Sequence, residues 1–477
     1  MTGALQLPDP LRVAVVGAGP SGFYAVAELT KATHGLAHID IIDRLPTPYG
    51  LVRAGVAPDH QNIKSVTKLF AKTAEAPNVR FIGGVEVGND IAHSDLVSYY
   101  HVIVYAIGAP ISRSLSIPGT DLTGYHTADR FVGWYNGHPD HRELAVDLGT
   151  ERAVVVGNGN VALDIARILV KSPLDLATTD IADHALDRLA RSRIREVVVL
   201  GRRGPVDASW TNPELTALGR LTSVDVTVET GSPGGMPLPP PDARATQRLN
   251  LETLREFADK APLGHPRRIL LGFNATPVRV VGDTCVTAIQ YTRNNHPGDA
   301  ISPAHSVETL PAGLVISAIG FLGRHVPGVP AHALSGVIDN DAGRVVDPRT
   351  GSTVRGVYAT GWVKRGPSGV IGMNRACAQE TVRQIAADLE AGQVNSPRKQ
   401  DDPLGLIAST CPGYTSWAGW SRIDDFELGR GRAQGRPRIK ITDLDRLHAI
   451  ARHGESITPR SAAVRTDERE ATEPTGD

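Results

Sequence analysis

Two glycine-rich turns in the sequence have the spacing of phosphate-binding turns in dinucleotide sites. In the first, Gly17, Gly19 and Gly22 (GAGPSG) follow an apolar run and precede an alanine-rich segment. The first glycine allows the turn, the second lets backbone approach a pyrophosphate, and the third lets helix pack on strand. Asp43 ends the next apolar run, where a carboxylate can bind both hydroxyls of an unmodified ribose. The first turn therefore predicts an adenine dinucleotide with free ribose hydroxyls.

The second turn leads to the opposite charge. Gly157, Gly159 and Ala162 (GNGNVA) repeat the spacing, and the next apolar run ends at Arg202 and Arg203. Guanidinium groups at the ribose-reading position attract a 2′-phosphate, which a carboxylate would repel. The sequence thus predicts NADP(H) at the second turn and FAD at the first, so that a nicotinamide can pass hydride to a flavin.

Each turn needs a strand before it and a helix after it. Hydrophobic patterns predict strands at 11–16 and 38–43 around a helix at 23–31, and strands at 153–156 and 196–200 around a helix ending near 170. Such alternation favours parallel sheets with helices on their faces. We predict an α/β fold with two Rossmann-like dinucleotide-binding domains. Further apolar runs end in glycine at 102–108, 314–320 and 356–361.

A third turn precedes a helix in the last third of the chain. The segment 366–369 (GPSG) opens a helix predicted at 373–390, with Gly392 as its stop. A helix N-terminus stabilises negative charge such as that on a reduced flavin ring. We therefore place the backbone amides of Gly369, Val370 and Ile371 at the ring. From its residue type alone, Trp362 could equally stack near the ring or fill core.

Composition excludes several classes of protein. Lys and Arg number 50 against 51 Asp and Glu, and this net charge of −1 argues against a nucleic-acid binder. Cys285, Cys377 and Cys411 form no CxxC, which argues against a thioredoxin-type pair, a metal site or a resident iron–sulfur cluster. No apolar run approaches about 18 residues, so we expect no membrane span. We expect a cytoplasmic monomer, a surface loop at 227–243 and a disordered tail at 454–477.

Four motifs in order resemble one family. They are LPTPYGLVRAGVAP with the following Asp59-His60 (45–60), GNGNVALDIARIL (157–169), GRRGP (201–205) and GWVKRGPSGVIG (361–372). From about residue 12 to about 447 the chain resembles the adrenodoxin reductase type of ferredoxin–NADP(+) reductase. The resemblance implies an FAD domain at 1–112 and 322–453, an inserted NADP domain at 113–321, and an external ferredoxin as electron acceptor.

The resemblance also implies site residues. FAD would contact Ser21, Asp43, Leu51, Val87, Trp362, Gly369, Val370 and Ile371. NADP would contact Arg113, Asn158, Gly159, Asn160, Val161, Arg202, Arg203, Glu214 and Gly369. His60 and Asp164 match positions near the flavin–nicotinamide junction, and we give them orienting roles in the reaction. The chain departs from the family at Gln61, where Pro is common, and at Ala217, where a second carboxylate is frequent.

The predicted activity is NADPH:ferredoxin oxidoreduction, with hydride passing to FAD and single electrons to a ferredoxin that could supply a cytochrome P450 or an iron–sulfur pathway. Ferredoxins are typically acidic, so a basic face is required, and its candidates are Arg244, Arg248, Arg255, Arg267 and Arg268. Two alternatives stay open: a flavin monooxygenase or NADPH oxidase, and a non-catalytic scaffold that senses flavin or NADP. The missing CxxC argues against a thioredoxin-reductase-like enzyme.

Overall fold

The computed structural model describes residues 8, 10–231, 235–293 and 306–454. Of the predicted tail at 454–477, all but Gly454 lies outside the described residues, as do residues 232–234 of the predicted loop at 227–243. The strands are β1 Leu11–Val16, β2 Ala37–Asp43, β3 Val79–Gly83, β4 Val102–Tyr105, β5 Ile111–Ser112, β6 Tyr125–Thr127, β7 Arg152–Val156, β8 Glu196–Leu200, β9 Val224–Glu229, β10 Arg267–Gly272, β11 Ala275–Gly282, β12 Val286–Arg293, β13 Val307–Pro311, β14 Leu314–Ser317, β15 Phe321–Leu322, β16 Asn340–Asp341, β17 Arg344–Val346, β18 Thr353–Ala359 and β19 Thr415–Ser416.

Helices connect and cover these strands. They are α1 Pro20–Ala32, α2 Leu51–Ala54, α3 Gln61–Lys64, α4 Thr67–Ala74, α5 His93–Tyr99, α6 Ala128–Asn136, α7 Asn160–Val170, α8 Pro173–Leu176, α9 Asp183–Ala190, α10 Asn212–Leu218, α11 Ala245–Asp259, α12 Trp362–Arg365, α13 Met373–Glu390, α14 Pro403–Thr410, α15 Trp417–Arg432 and α16 Leu444–His453. No helix in the described part of the chain has the length and apolar character needed to cross a membrane.

The first sheet combines strands from the two ends of the chain. Its order is β16-β17-β18-β4-β1-β2-β3-β19, and β18, β4, β1, β2 and β3 run parallel. β1 lies in the middle, with Val13 paired to Ile39 of β2 and to Val102 of β4. Every residue of β1 is buried, and all but Arg12 are apolar, as expected for a central strand of a parallel sheet whose two faces are covered.

The second sheet comes from the middle of the chain. It is parallel, with the order β6-β14-β7-β8-β10-β9. The antiparallel strands β11, β12 and β13 form a separate small sheet, and β15 pairs with β5 where the chain passes between the two large sheets. The prediction of an α/β fold with two dinucleotide-binding units is confirmed. The predicted loop at 227–243 is wrong at its start, because residues 227–229 continue β9 alongside β10.

Buried ion pairs join the two units. Lys64 of α3 places Nζ 2.8 Å from both carboxylate oxygens of Asp180, which follows α8. Lys440 places Nζ 3.0 Å from Oδ2 of the same carboxylate. All three side chains are less than a tenth exposed. Burial lowers the pKa of both lysines, and although burial alone would raise the pKa of Asp180, the two lysine charges hold it below its usual value.

Candidate functional site

The first glycine turn joins β1 to α1 at the carboxyl edge of the eight-stranded sheet. Gly17 has a φ of +108°, and a Cβ there would lie 2.6 Å from the carbonyl oxygen of Ala106. A Cβ on Gly22 would lie 2.0 Å from the carbonyl oxygen of Gly17, so α1 packs directly on the turn. A Cβ on Gly19 would meet no atom within 4 Å. Gly19 therefore faces open space, where a ligand can approach the backbone.

The start of α1 leaves donors available beside this space. No side chain caps the helix, and among the described residues the amides of Ser21 and Gly22 donate to no acceptor. Unpartnered amides at a helix N-terminus fit a phosphate group. Gly50 lies against Gly19, since its Cβ would be 3.0 Å from the Gly19 Cα. This contact brings Leu51, the first residue of α2, to the turn.

Asp43 is fixed in place at the end of β2. Its Oδ2 accepts a hydrogen bond from the amide of Ala18 in the turn (2.7 Å), and its Oδ1 accepts one from the amide of Leu45 (2.9 Å). Burial raises the pKa of Asp43 even though both amides and Arg44 favour its ionised form. A carboxylate oxygen has two acceptor positions, so each oxygen keeps one for a ribose hydroxyl.

The segment 361–372 reaches the first turn from the other end of the chain. Ser21 Oγ lies 3.1 Å from Oδ1 of Asn374, in the first turn of α13. Arg365 donates from Nη2 to the same oxygen (2.9 Å) and from Nη1 to the carbonyl of Ser368. The Trp362 indole also donates to that carbonyl (3.1 Å). These bonds connect the start of the segment, at Trp362 and Arg365, to Ser368 and to Asn374 just beyond its end.

Helix α13 starts at Met373, as predicted. The amides of Met373, Asn374 and Arg375 are already bonded to the carbonyls of residues 370–372. In the described structure the amides of Gly369, Val370 and Ile371 have no acceptor. These amides, rather than those of the helix proper, are available to a ligand. Val370 is 52% exposed.

The second glycine turn repeats the first at the carboxyl edge of the six-stranded sheet. A Cβ on Gly157 would lie 2.2 Å from the carbonyl oxygen of Ala318. No side chain caps α7, and the amides of Gly159, Asn160 and Val161 donate to no acceptor in the described ranges. Asn160 Oδ1 accepts a hydrogen bond from the amide of Thr211 (2.8 Å). This bond holds the start of α10 beside the turn.

Arg202 and Arg203 are exposed in the turn after β8. The side chain of Asn158 packs on the neighbouring Gly201, where a Cβ would lie 1.7 Å from Nδ2. Asn158 Oδ1 is buried without a hydrogen-bond partner among the described residues, so a bound ligand can supply one. Arg113 is also exposed, and its amide donates to Gly320 O after β14 (2.9 Å). The arginine pair therefore adjoins the second glycine turn.

His60, Asp164 and Glu214 come together from three separate parts of the chain. His60 Nε2 lies 3.5 Å from Glu214 Oε2, and His60 Nδ1 lies 4.0 Å from Asp164 Oδ1. His60 precedes α3, Asp164 lies in α7, and Glu214 lies in the first turn of α10. Burial raises the pKa of Asp164, although the charges of Arg167 and His60 oppose that effect. The structure thus groups Glu214 with the two residues given orienting roles.

The remaining candidate residues make contacts of their own. Val87 is buried on the connection after β3, in a bridge with Ile91. Arg248 donates to the carbonyls of residues 240, 241 and 243, and Arg255 donates to Pro237 O. Arg267 and Arg268 begin β10, so they lie at the opposite edge of the sheet from the glycine turn.

Several residues of the site were missed by sequence reasoning. Arg167 donates to both oxygens of Asp59 (2.9 Å each) and to Asp164 Oδ1 (2.8 Å), and Lys171 donates to Asp59 (3.0 Å). The i, i+3 spacing of Asp164 and Arg167 could have indicated their pair. The sequence gives no signal for a contact with Asp59, which lies 108 residues away from Arg167. Asn374 was missed for the same reason.

Comparison with known proteins gives consistent matches. The profile of the pyridine nucleotide-disulphide oxidoreductase family matches residues 11–200. The chain is 42% identical to the NADPH-ferredoxin reductase FprA of Mycobacterium tuberculosis, over 92% of this chain and 99% of that protein. It is 39% identical to the mitochondrial NADPH:adrenodoxin oxidoreductase of Arabidopsis thaliana, over 93% and 95%. The solved structure of M. tuberculosis FprA in complex with NADPH superposes with a TM-score of 0.83, at 40% identity over 93% of this chain and 99% of that one.

Proposed function

The chain belongs to the ferredoxin–NADP reductase family, and from this premise we propose that it oxidises NADPH and reduces a ferredoxin by way of FAD. FAD, when bound, supplies the chemistry by which two electrons arrive together as hydride and leave one at a time to an iron–sulfur acceptor. The proposal rests mainly on the two glycine turns, which both have unpartnered amides. The strand after the first turn ends at the carboxylate Asp43, and the strand after the second turn is followed by Arg202 and Arg203.

The first turn is assigned to the FAD pyrophosphate. The open space at Gly19 and the amides of Ser21 and Gly22 support this assignment. Asp43 holds the ribose, and the amides of Gly369, Val370 and Ile371 face the flavin ring. Leu51, Val87 and Trp362 complete the proposed site. The corresponding FAD domain is 1–112 with 322–453, which contains every strand of the eight-stranded sheet.

The second turn is assigned to NADP(H), with the inserted domain at 113–321. The amides of Gly159, Asn160 and Val161 receive the pyrophosphate, and the buried orphan oxygen of Asn158 supports a ligand there. Arg202 and Arg203 hold the 2′-phosphate, and Arg113 adds a third cation. His60, Asp164 and Glu214 lie where the two assigned sites approach each other and orient the nicotinamide end.

The partner is proposed to be an external ferredoxin, and the working unit a cytoplasmic monomer. Cys285, Cys377 and Cys411 are all free thiols, which suits a reducing compartment. Both proposed cofactor sites, and the cluster between them, are built from one chain. A ferredoxin requires a basic docking face, and Arg244, the residue before α11, is exposed enough to contribute to one.

Steady-state electron transfer tests the proposal. The purified protein, supplied with FAD, is assayed for cytochrome c reduction by NADPH or NADH, with and without an added ferredoxin. We expect rapid reduction that requires both NADPH and ferredoxin. Oxygen consumption with peroxide release and no effect of ferredoxin would favour the oxidase or monooxygenase alternative. A bound flavin that NADPH does not reduce would favour the non-catalytic scaffold.

A further inference from the structure

One buried guanidinium contacts three carboxylates between the proposed cofactor sites. Arg167 of α7 has a side chain only 4% exposed. It binds both oxygens of Asp59 and one oxygen of Asp164. Its Nη1 lies 3.7 Å from Glu214 Oε2. The three carboxylates come from the segment before α3, from α7 itself and from α10, so Arg167 joins three separate elements.

His60 shares two of these carboxylates with Arg167. Glu214 Oε2 lies 3.5 Å from His60 Nε2 and 3.7 Å from Arg167 Nη1. Asp164 Oδ1 lies 4.0 Å from His60 Nδ1 and 2.8 Å from Arg167 Nη2. The imidazole is therefore flanked at both ring nitrogens by carboxylates that the same guanidinium holds. Moving Arg167 would change the surroundings of both nitrogens together.

Two atoms of the cluster are left without a hydrogen bond. Arg167 Nη1 and Glu214 Oε2 are both buried with no hydrogen-bond partner among the described residues. They face each other 3.7 Å apart, slightly beyond bonding distance. Contacts at a site often shorten when the substrate binds. A small movement of α10 toward α7 would close this contact and would shift the Glu214 carboxylate relative to the His60 imidazole.

The location of the cluster links it to the reaction. Asp164 and Arg167 lie four and seven residues after Asn160, the first residue of α7, and so on one face of the helix that begins at the second turn. Asp59 and His60 follow α2, whose first residues pack against the first turn. The cluster therefore spans the gap between the two dinucleotide turns.

We propose that Arg167 is a positioning residue for hydride transfer, which acts through Asp164 and Glu214 to fix the His60 imidazole between the two cofactor sites. The inference rests on the proposed function, because it assigns a role within that site. The charged partners of the Arg167 side chain are these carboxylates. The positive charge of Arg167 also allows the three neighbouring carboxylates to be ionised together. Without it, repulsion between like charges at this separation would favour protonation of one of them.

The alternative is that Arg167 only pins the two units together. To separate these roles, Arg167→Gln and Arg167→Lys are compared with the wild type and with Arg80→Gln. Arg80 is a matched control because it also binds two carboxylates, with both oxygens of Asp40 at 2.7 and 2.8 Å and with Asp402. Arg436→Gln is the second control, because Arg436 is another buried guanidinium (5% exposed) that joins the two units, through Asp183 of α9 at 2.7 Å, and lies outside the cluster.

The measurement is the anaerobic rate of flavin reduction by NADPH in the FAD-loaded protein, followed across pH, together with the NADPH dissociation constant and the thermal midpoint. We expect Arg167→Gln to slow reduction by about 10- to 100-fold with little change in NADPH affinity. Arg167→Lys should recover part of the rate. Arg80→Gln should match the wild type in rate and pH profile.

We also expect Arg167→Gln to change the pH dependence of flavin reduction. Asp164 faces Arg167 on its own helix, His60 before α3, Glu214 on α10 and the phenol of Tyr135 on α6. Burial already raises the pKa of Asp164, and loss of the guanidinium charge raises it further. The acid limb of the Arg167→Gln profile should therefore move to higher pH. The limb for Arg436→Gln should stay in place while its thermal midpoint falls.

Three results would overturn the inference. In the first, Arg167→Gln reduces its flavin at the wild-type rate with an unmoved profile. In the second, Arg436→Gln slows reduction and moves the limb as far as Arg167→Gln does, so that Arg167 acts only by joining the two units. Failure of wild-type flavin to be reduced by NADPH would instead reject the proposed function, and the inference with it. If Arg167→Gln does not fold, Arg167→Lys and Arg436→Gln provide the same comparison.

Discussion

Two similar βαβ units carry side chains of opposite charge where their second strands end. Asp43 lies at the end of β2, and Arg202 and Arg203 follow β8. The amides of Ala18 and Leu45 hold the Asp43 carboxylate, whereas both arginines are exposed. A fixed carboxylate suits two ribose hydroxyls, and exposed guanidiniums suit a phosphate with several oxygens. At the residue scale, these side chains decide which dinucleotide each site accepts.

Replacing the arginines should therefore change nucleotide preference. Arg202→Ala with Arg203→Ala should raise the KM for NADPH by about 10-fold or more, because hydrogen bonds to a charged group contribute about 1.5–3 kcal/mol. The KM for NADH, which lacks the 2′-phosphate, should hardly change. Steady-state kinetics with both nucleotides measures this difference.

Arg349→Ala is a suitable control for that experiment. Its side chain is 84% exposed and pairs with Asp347 at 2.9 Å, so it removes a surface guanidinium outside the proposed sites. Equal loss of affinity for NADPH and NADH in the double variant would contradict the assignment of the pair to the 2′-phosphate.

At the element scale, the first glycine turn combines a packing glycine with an open one. A Cβ on Gly22 collides with the backbone of Gly17, whereas one on Gly19 meets no protein atom. Gly19→Ala should therefore fold with an unchanged apoprotein thermal midpoint but lose FAD, because the methyl group occupies the space of the pyrophosphate. Gly22→Ala should lose both stability and FAD. Flavin absorbance per protein, with the thermal midpoint, separates the two outcomes.

Gly405→Ala controls for the added methyl group. Gly405 lies within α14 and also has open space at its Cβ, so the change should keep FAD and raise stability by up to about 1 kcal/mol. A Gly19→Ala variant with wild-type FAD content would show that the pyrophosphate does not approach this turn.

The sequence was informative about elements whose pattern is local. Residues 11–16 and 196–200 are apolar apart from Arg12 and Glu196, and β1 and β8 have those bounds; α13 also spans the predicted 373–390. Residues 227–229 were misassigned because nearby Pro and Gly suggested a loop, while pairing with the distant β10 makes them strand. Local signals likewise gave the glycine turns, Asp43 and the arginine pair, but not the contact of Asn374 with Ser21. That contact depends on packing between segments more than 350 residues apart.

At the scale of the whole molecule, charged groups join the two units. Asp180 lies between Lys64 and Lys440, and Arg167 with Lys171 binds Asp59. Buried pairs such as these add little stability relative to apolar packing, but losing one partner leaves an uncompensated charge. We expect them to keep the two cofactor sites in one fixed relation.

Removing the carboxylate of the first group should be costly. Asp180→Asn leaves two buried ammonium groups and should lower the free energy of unfolding at pH 7 by about 3 kcal/mol. Because the pKa of Asp180 is lowered in the fold, its contribution is present above its unfolded pKa of about 4 and is lost as pH falls below that value. The difference between wild type and variant should therefore shrink in acid.

Thermal midpoints measured from pH 7 down to pH 3 test this prediction. Asp402→Asn is the control, since this carboxylate is 61% exposed and shares Arg80 with Asp40, so its loss should cost little. A difference for Asp180→Asn that stays constant or grows in acid would contradict the ion-pair account.

Electrons pass from NADPH through FAD to a ferredoxin on one chain. An anaerobic single turnover follows each of these transfers in order. The FAD-loaded protein is mixed with one equivalent of NADPH and then with oxidised ferredoxin, while flavin and iron–sulfur absorbance are followed. We expect prompt flavin bleaching with NADPH and much slower bleaching with NADH. Flavin colour should then return as two ferredoxins are reduced for each NADPH. A bleached flavin that ferredoxin cannot reoxidise would contradict the account.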